Sequence, residues 1–211
     1  DLRKFREISQ TVTLECSGNG RVYANPTVPG LQWEKGAVSN AKWTGVALRD
    51  VLAKAGVKTS GKFITFNGAD LPIGAVPDFQ RSVPIEKALH PDTLIAYKMN
   101  DVDIPLPHGK PLRLIVPGIQ GVSWVKYLRR IEVGDMPYAT KDEAVHYMDL
   151  MPNGQHRQYT NIQEIKSVIT TPSGGQVLLD KGFYNVTGLA WSGRGKVKRV
   201  DVSVDGGRNW R

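Results

Sequence analysis

Eight of the thirteen prolines fall between residues 72 and 117, and they restrict what that stretch can build. Pro72, Pro77, Pro84, Pro91, Pro105, Pro107, Pro111 and Pro117 each lack a backbone donor and hold φ near one value. No long helix and no long inner strand can run through them. With Gly68, Gly74, Gly109, Gly118 and Gly121 interleaved, the stretch becomes short elements joined by stiff, irregular connections. That texture predicts an α+β domain and argues against a doubly wound sheet.

Between the breaks, periodicity assigns the elements. Val12 and Leu14 alternate with polar neighbours, the pattern of a half-buried strand. Thr44 is placed to cap a helix running through Ala55, with Val46, Val51, Leu52 and Ala55 on one face and Gly56 ending it. Lys62–Phe66 reads as a strand, and Pro84 suits the first turn of a short helix that ends before Pro91. Leu94–Met99 is a strand closed by an Asn100-Asp101 turn, Leu112–Val116 reads as a buried strand, apolar but for Arg113, and Tyr127–Val133 is the next. Near residue 160 the texture changes. Short alternating strands over 182–190 and 196–204, separated by glycine-rich turns, predict the beginning of a β-sandwich. The chain is therefore divided into 1–160 and 161–211. It starts at Asp1 without a methionine and stops at Arg211 within a strand-like pattern, which reads as a piece of a processed protein.

A formal net charge of +8 points to an anionic substrate or partner. Nucleic acid fits poorly, because the basic residues are scattered. Lys196-Val-Lys-Arg199 is their densest cluster, and no nucleic-acid-binding signature is present. Small anions or an acidic protein fit better. No apolar run reaches the length of a membrane span. His146 and His156 lack zinc-site spacing, and Gly18-Asn-Gly20 is not a dinucleotide fingerprint.

Cys16 is the only cysteine. It follows the first strand and precedes Ser17-Gly-Asn-Gly-Arg21, a turn where backbone can approach a bound group and a guanidinium is at hand. A thiolate there suits a soft metal or a nucleophile; a small side chain packed in the core suits the same residue equally. With one cysteine, neither an internal disulfide nor a Cys-x-x-Cys-His haem attachment exists within these 211 residues.

The segment Glu15-Cys16-Ser-Gly-Asn-Gly-Arg21 resembles the cysteine loop of the sulfite oxidase family of molybdenum enzymes. Further similarity follows in order: Trp43-Thr-Gly-Val-Ala-Leu-Arg-Asp, Pro84-Ile-Glu-Lys-Ala-Leu, Leu94-Ile-Ala-Tyr-Lys-Met-Asn, His108-Gly-Lys-Pro-Leu-Arg-Leu-Ile-Val-Pro-Gly118 and Trp124-Val-Lys-Tyr-Leu. The tail, Gly188-Leu-Ala-Trp-Ser-Gly-Arg-Gly through Asp205-Gly-Gly-Arg-Asn-Trp210, resembles the opening of that family's dimerisation domain. Within the family, Glu15-Cys16-Ser17 and Lys166-Ser-Val-Ile-Thr-Thr-Pro-Ser-Gly-Gly175 resemble the molybdenum subunits of bacterial sulfane dehydrogenases.

The resemblance implies a sulfite-oxidase-type molybdopterin-binding domain over 1–160, followed by the start of an immunoglobulin-like dimerisation domain over 161–211. It implies Mo-molybdopterin as cofactor, with Cys16 as the protein ligand to the metal. Asp70, His108, Arg113, Trp124, Val125 and Lys126 match cofactor-contacting positions, and Arg21 matches an arginine of the anion pocket. Tyr147 or Tyr159 stands near where the family places an active-site phenol, although the usual Tyr-Lys-Gly-Phe motif is absent. The implied reaction is oxygen-atom transfer to reduced sulfur, either sulfane sulfur on a carrier protein or a small sulfur oxyanion such as free sulfite. Electrons would pass to a c-type cytochrome, in a periplasmic homodimer. A nitrate-reducing relative and a cofactor-free basic binding module are the competing readings.

Overall fold

The computed structural model describes residues 1–70, 79–138, 140–158 and 162–211. Pro72, Gly74, Pro77 and Tyr159, singled out above, lie outside the described residues. The chain divides into two units, Asp1–Asn161 and Ile162–Arg211.

In the first unit the elements run β1 (Glu7–Glu15), β2 (Val38–Ala47), α1 (Leu48–Ala55), β3 (Phe63–Gly68), β4 (Gln80–Pro84), α2 (Ile85–Ala88), β5 (Leu94–Met99), β6 (Val102–Asp103), β7 (Arg113–Ile115), β8 (Leu128–Gly134), α3 (Lys141–Val145), β9 (Met148–Leu150) and β10 (His156–Gln158). Strands β1, β2, β5 and β6 form one antiparallel sheet, with β7 also pairing β5. A second antiparallel sheet has the order β4-β3-β8, and β9 and β10 form a hairpin. Short helices beside antiparallel sheets make this the expected α+β class. The core is apolar and tightly shielded: Val46, Ala47, Leu48, Ile64, Phe66, Leu94, Leu114, Ile115 and Val125 are wholly buried.

One expectation is corrected. Thr44 does not cap a helix; it lies inside β2, and α1 begins at Leu48. Residues 43–46 are paired between β1 on one side and β5 on the other, and this pairing outweighs a local capping preference. The Thr44 hydroxyl instead meets the Ser9 hydroxyl of β1 at 2.6 Å. The helix ends as the sequence predicts, on Gly56 at φ +76°. Asn100 and Asp101 both take positive φ and turn β5 into β6.

The second unit contains β11 (Lys166–Thr171) and β12 (Thr187–Trp191), paired antiparallel. The strand expected over 196–204 is not formed; only Val202 pairs its backbone, with Arg211. Alternation favours an extended chain, but a strand also needs a neighbouring ladder. Ile169, Leu189, Val200 and Val202 line an open groove of about 490 Å³ instead of a closed core.

Candidate functional site

Cys16 follows the last residue of β1, and its loop is closed by hydrogen bonds rather than by apolar packing. Its own N–H donates to the Ala37 carbonyl at 2.9 Å, and the Gly18 N–H points at Cys16 Sγ at 3.4 Å. The sulfur is half-buried. Asn19 secures the turn from both ends of its amide. Nδ2 donates to the buried Glu15 carboxylate at 3.0 Å, and Oδ1 accepts the Ala37 N–H at 3.0 Å. A sulfur held this way, facing a backbone N–H and partly open, can reach a ligand that a core cysteine cannot. Asn19→Ala is expected to loosen the loop, costing about 1–3 kcal/mol because the Glu15 carboxylate loses a buried donor. Thermal unfolding measures this, and an unchanged midpoint would show that the amide does not hold the loop.

Arg21 leaves the same turn after Gly20, which sits at φ +87°. Its Nη1 donates to the Leu31 carbonyl at 3.0 Å. The guanidinium lies against two glycines: a Cβ at Gly18 would come 2.8 Å from Nη2, and one at Gly30 would collide with Nη1. These glycines leave room for a flat cation. Around it, Tyr23, Leu31 and Trp33 are exposed, and the Val22 N–H donates to the Trp33 carbonyl. Trp33 is thus an exposed aromatic tied through backbone to the turn that carries Arg21, and sequence reasoning missed it. An aromatic in an irregular loop has no periodicity to identify it.

The remaining candidates gather around one loop. Arg113 Nη1 donates to the His108 carbonyl at 3.0 Å, and Lys126 Nζ donates to the Pro107 carbonyl at 3.1 Å. Two cations therefore converge on adjacent carbonyls, beside the exposed His108 side chain. Gly109, at φ +108°, lets the loop pass so close that a Cβ there would lie 2.8 Å from Lys126 Cβ. Asp70 joins from the other side: the Ala69 N–H donates to the Tyr127 carbonyl, and a Cβ on Gly68 would meet both Asp70 Oδ2 and the Lys126 carbonyl. Arg113 is 8% exposed, and loss of hydration draws it down to about 10, well above neutral pH, so it remains a full cation.

Trp124 and Val125 are placed differently. Both side chains are buried in the core, and the Trp124 indole N–H donates to the Ile119 carbonyl at 2.8 Å. Any contact from these two residues to a bound group is therefore through backbone. They belong to the segment 121–127 that joins the two halves of the site. A Cβ at Gly121 would sit 2.8 Å from Leu14 and 3.2 Å from the Glu15 carbonyl, against the end of β1. A few residues later the same segment carries Lys126 to the 107–109 loop and Tyr127 to Ala69.

A cavity of about 640 Å³ opens elsewhere, lined by Phe5, Glu7, Tyr97, Lys98, Asp103 and Lys110. Four of the charged groups that line it are paired with one another or with the tyrosine. Tyr97 donates to Glu7 at 2.8 Å, Lys98 lies 3.6 Å from Glu7, and Lys110 lies 3.6 Å from Asp103. Burial and the Glu7 carboxylate push the Tyr97 phenol up to about 12. Tyr147 packs its ring 4.6 Å from the buried Arg81 guanidinium carbon.

A molybdenum pterin can be tested against this chemistry. It needs one soft ligand, donors for a phosphate and close backbone approach. Here there is a half-buried sulfur, a cation pair on one loop, and glycines at 68, 109 and 121 where a side chain would obstruct. Arg113 Nε is also buried with no acceptor among the described residues. The residues fit the group.

Comparison with known proteins agrees. The family described as oxidoreductase molybdopterin binding domain matches residues 1–141, and the Mo-co oxidoreductase dimerisation domain matches 157–211. Sulfite oxidase from Gallus gallus is 38% identical over 99% of this chain and 48% of its own length. An NADH nitrate reductase from Spinacia oleracea is 39% identical over 98% of this chain and 25% of its length. The crystal structure of the sulfane dehydrogenase SoxCD from Paracoccus pantotrophus superposes with a TM-score of 0.88 at 39% identity, covering all of this chain and 53% of that one. The chain thus spans about half the length of the sulfite oxidase it matches.

Proposed function

The chain belongs to the sulfite oxidase family of molybdopterin-binding oxidoreductases, and from that premise we propose that it forms the cofactor- and substrate-binding part of a sulfur-oxidising dehydrogenase. The supporting observation is the segment 121–127, which abuts the cysteine strand at one end and carries Lys126 to the Arg113–His108 loop at the other. When bound, the molybdenum centre supplies oxygen-atom transfer to a sulfur lone pair and takes up an electron pair. Cys16 supplies the protein thiolate to that centre. Arg113, Lys126 and His108 meet the pterin's phosphate, Asp70 accepts hydrogen bonds from its amino groups, and the backbone at Trp124 and Val125 lines its path.

Arg21 binds the substrate. Its planar fork suits adjacent oxygens on a sulfur oxyanion or a thiosulfonate end, and the glycines beside it make room for the guanidinium in the loop. Arg21→Gln in the holoenzyme is expected to raise KM for an anionic substrate by about 10- to 100-fold with molybdenum content unchanged. Loss of molybdenum at unaltered KM would assign Arg21 to the cofactor instead.

The substrate we favour is sulfane sulfur on a carrier protein. Tyr23, Leu31 and Trp33, in the loop next to Arg21, expose apolar and aromatic surface suited to contact with a protein, and a basic chain suits docking of an acidic carrier. Free sulfite is the second reading, supported by the 38% identity to sulfite oxidases. Electrons leave to a c-type cytochrome on a separate subunit or segment, since these 211 residues hold a single cysteine. Residues 161–211 begin the dimerisation domain of a homodimer, and the protein works in the periplasm. Among the described residues no helix is long and apolar enough to cross a membrane. Steady-state comparison of sulfite with carrier-bound sulfane, using the cytochrome partner at matched ionic strength, tests the substrate. A higher specificity constant for sulfite would establish the second reading.

A further inference from the structure

Two buried nitrogen donors without acceptors lie on facing side chains. Trp43 is 2% exposed, and its indole Nε1 has no hydrogen-bond partner among the described residues. The guanidinium carbon of Arg113 lies 5.1 Å from the Trp43 ring centroid, and Arg113 Nε is likewise buried without an acceptor. The topology brings them together. β5 runs between β2 and β7, with Gly45 opposite Ala96 and Ala96 opposite Arg113. Gly45 and Ala96 have almost no side chain, and a Cβ on Gly45 would collide with the Ile95 carbonyl. This low place in the sheet is where Trp43, two residues before Gly45, meets the arginine from β7.

A buried N–H left without an acceptor costs about 1–3 kcal/mol, and two such groups on neighbouring side chains make that cost hard to explain by packing alone. An anionic group whose binding opens a way to them would supply the missing acceptors. A ring face against a guanidinium also restricts the plane of that cation, so its free edge is aimed before any ligand arrives.

We propose that Trp43 is a positioning residue of the anion cradle, its ring fixing the Arg113 guanidinium and its indole N–H adding a donor toward the same phosphate. This rests on the reading that Arg113 holds the cofactor's phosphate. Trp43 would then belong to the phosphate end of the pterin site although it lies on β2, far in sequence from the 107–126 region.

The test measures release of the cofactor from the purified holoenzyme under dialysis, followed by molybdenum and pterin fluorescence in the dialysate. Trp43→Phe keeps an aromatic face in the core but removes the N–H together with part of the indole, so a lower thermal midpoint is expected and release is compared well below it; Trp43→Leu removes the aromatic face as well. Trp43→Phe is expected to release cofactor about tenfold faster, and Trp43→Leu faster again. Arg113→Gln is expected to exceed both, and adding Trp43→Phe to it should give little further acceleration, because the indole acts through and beside that cation. Wild-type release from Trp43→Phe, with faster release from Arg113→Gln, would overturn the role of Trp43 and leave Arg113 in place. Wild-type release from Arg113→Gln would overturn the phosphate reading itself, and the inference with it. Fully additive effects would show Trp43 to be an independent packing residue.

Discussion

Cys16→Ser in the holoenzyme is expected to lower turnover by roughly 10⁴-fold or more while leaving the fold intact. The structural cost is small because the loop does not depend on sulfur for its shape. Backbone bonds from Cys16 to Ala37 and from Asn19 to Cys16, with the Asn19 side chain between Glu15 and Ala37, hold the turn. A hydroxyl also fits a half-buried position that already receives a backbone N–H. The chemical cost is large. Serine offers a hard, neutral oxygen where a soft metal takes an anionic thiolate, and the chain contains no second cysteine to substitute. Steady-state assays paired with metal analysis separate loss of metal from loss of reactivity. Wild-type turnover in this variant would remove Cys16 from the centre altogether.

The largest stability effect is expected at Glu143. Arg81 on β4 and Glu143 on α3 are 0% and 4% exposed, with Nε and Oε1 3.9 Å apart, and Glu143 Oε1 also accepts the Ser82 N–H at 2.9 Å. The guanidinium packs on the Tyr147 ring. Taking charges out of water is expensive, and such a pair holds only while both members are present. Glu143→Ala should cost about 3–5 kcal/mol, lowering the thermal midpoint by on the order of 10 °C. The paired change Arg81→Met with Glu143→Leu should recover most of that loss, since it removes both charges from the interior. Reversible thermal or chemical unfolding measures both variants. A loss below about 1 kcal/mol for Glu143→Ala would place the pair in the class of surface bridges.

Different parts of the site were legible to different degrees. Cys16 and Arg21 share one short loop, so their proximity follows from local chain geometry, and the glycines between them already announce it. His108 and Arg113 are also near in sequence, on a proline-bounded loop and the strand it feeds. Trp124 and Val125 matched cofactor positions by resemblance, yet their side chains are in the core, where one-dimensional matching cannot separate a side-chain contact from a backbone one. Thr44 shows the opposite failure. A capping preference worth about 1 kcal/mol is a local signal, and it yields where two strands pair with the same residues.

The short, proline-divided elements, the mixed class, the lone thiol at a strand end and the excess of positive charge were determined by the sequence alone, because each depends on a residue's own backbone freedom or chemistry. Residue 160 likewise marks a change in local pattern that needs no partner to be seen. Only the tertiary structure decided that Lys126 reaches the Pro107 carbonyl, that Gly121 rests on the cysteine strand, that Trp43 lies against Arg113 across a notch in the sheet, and that Arg81 finds Glu143. These are contacts between segments far apart in the chain. They form because antiparallel pairing through β5 and β3 brings those segments into register, and register is a property of several strands at once that no single stretch of sequence carries.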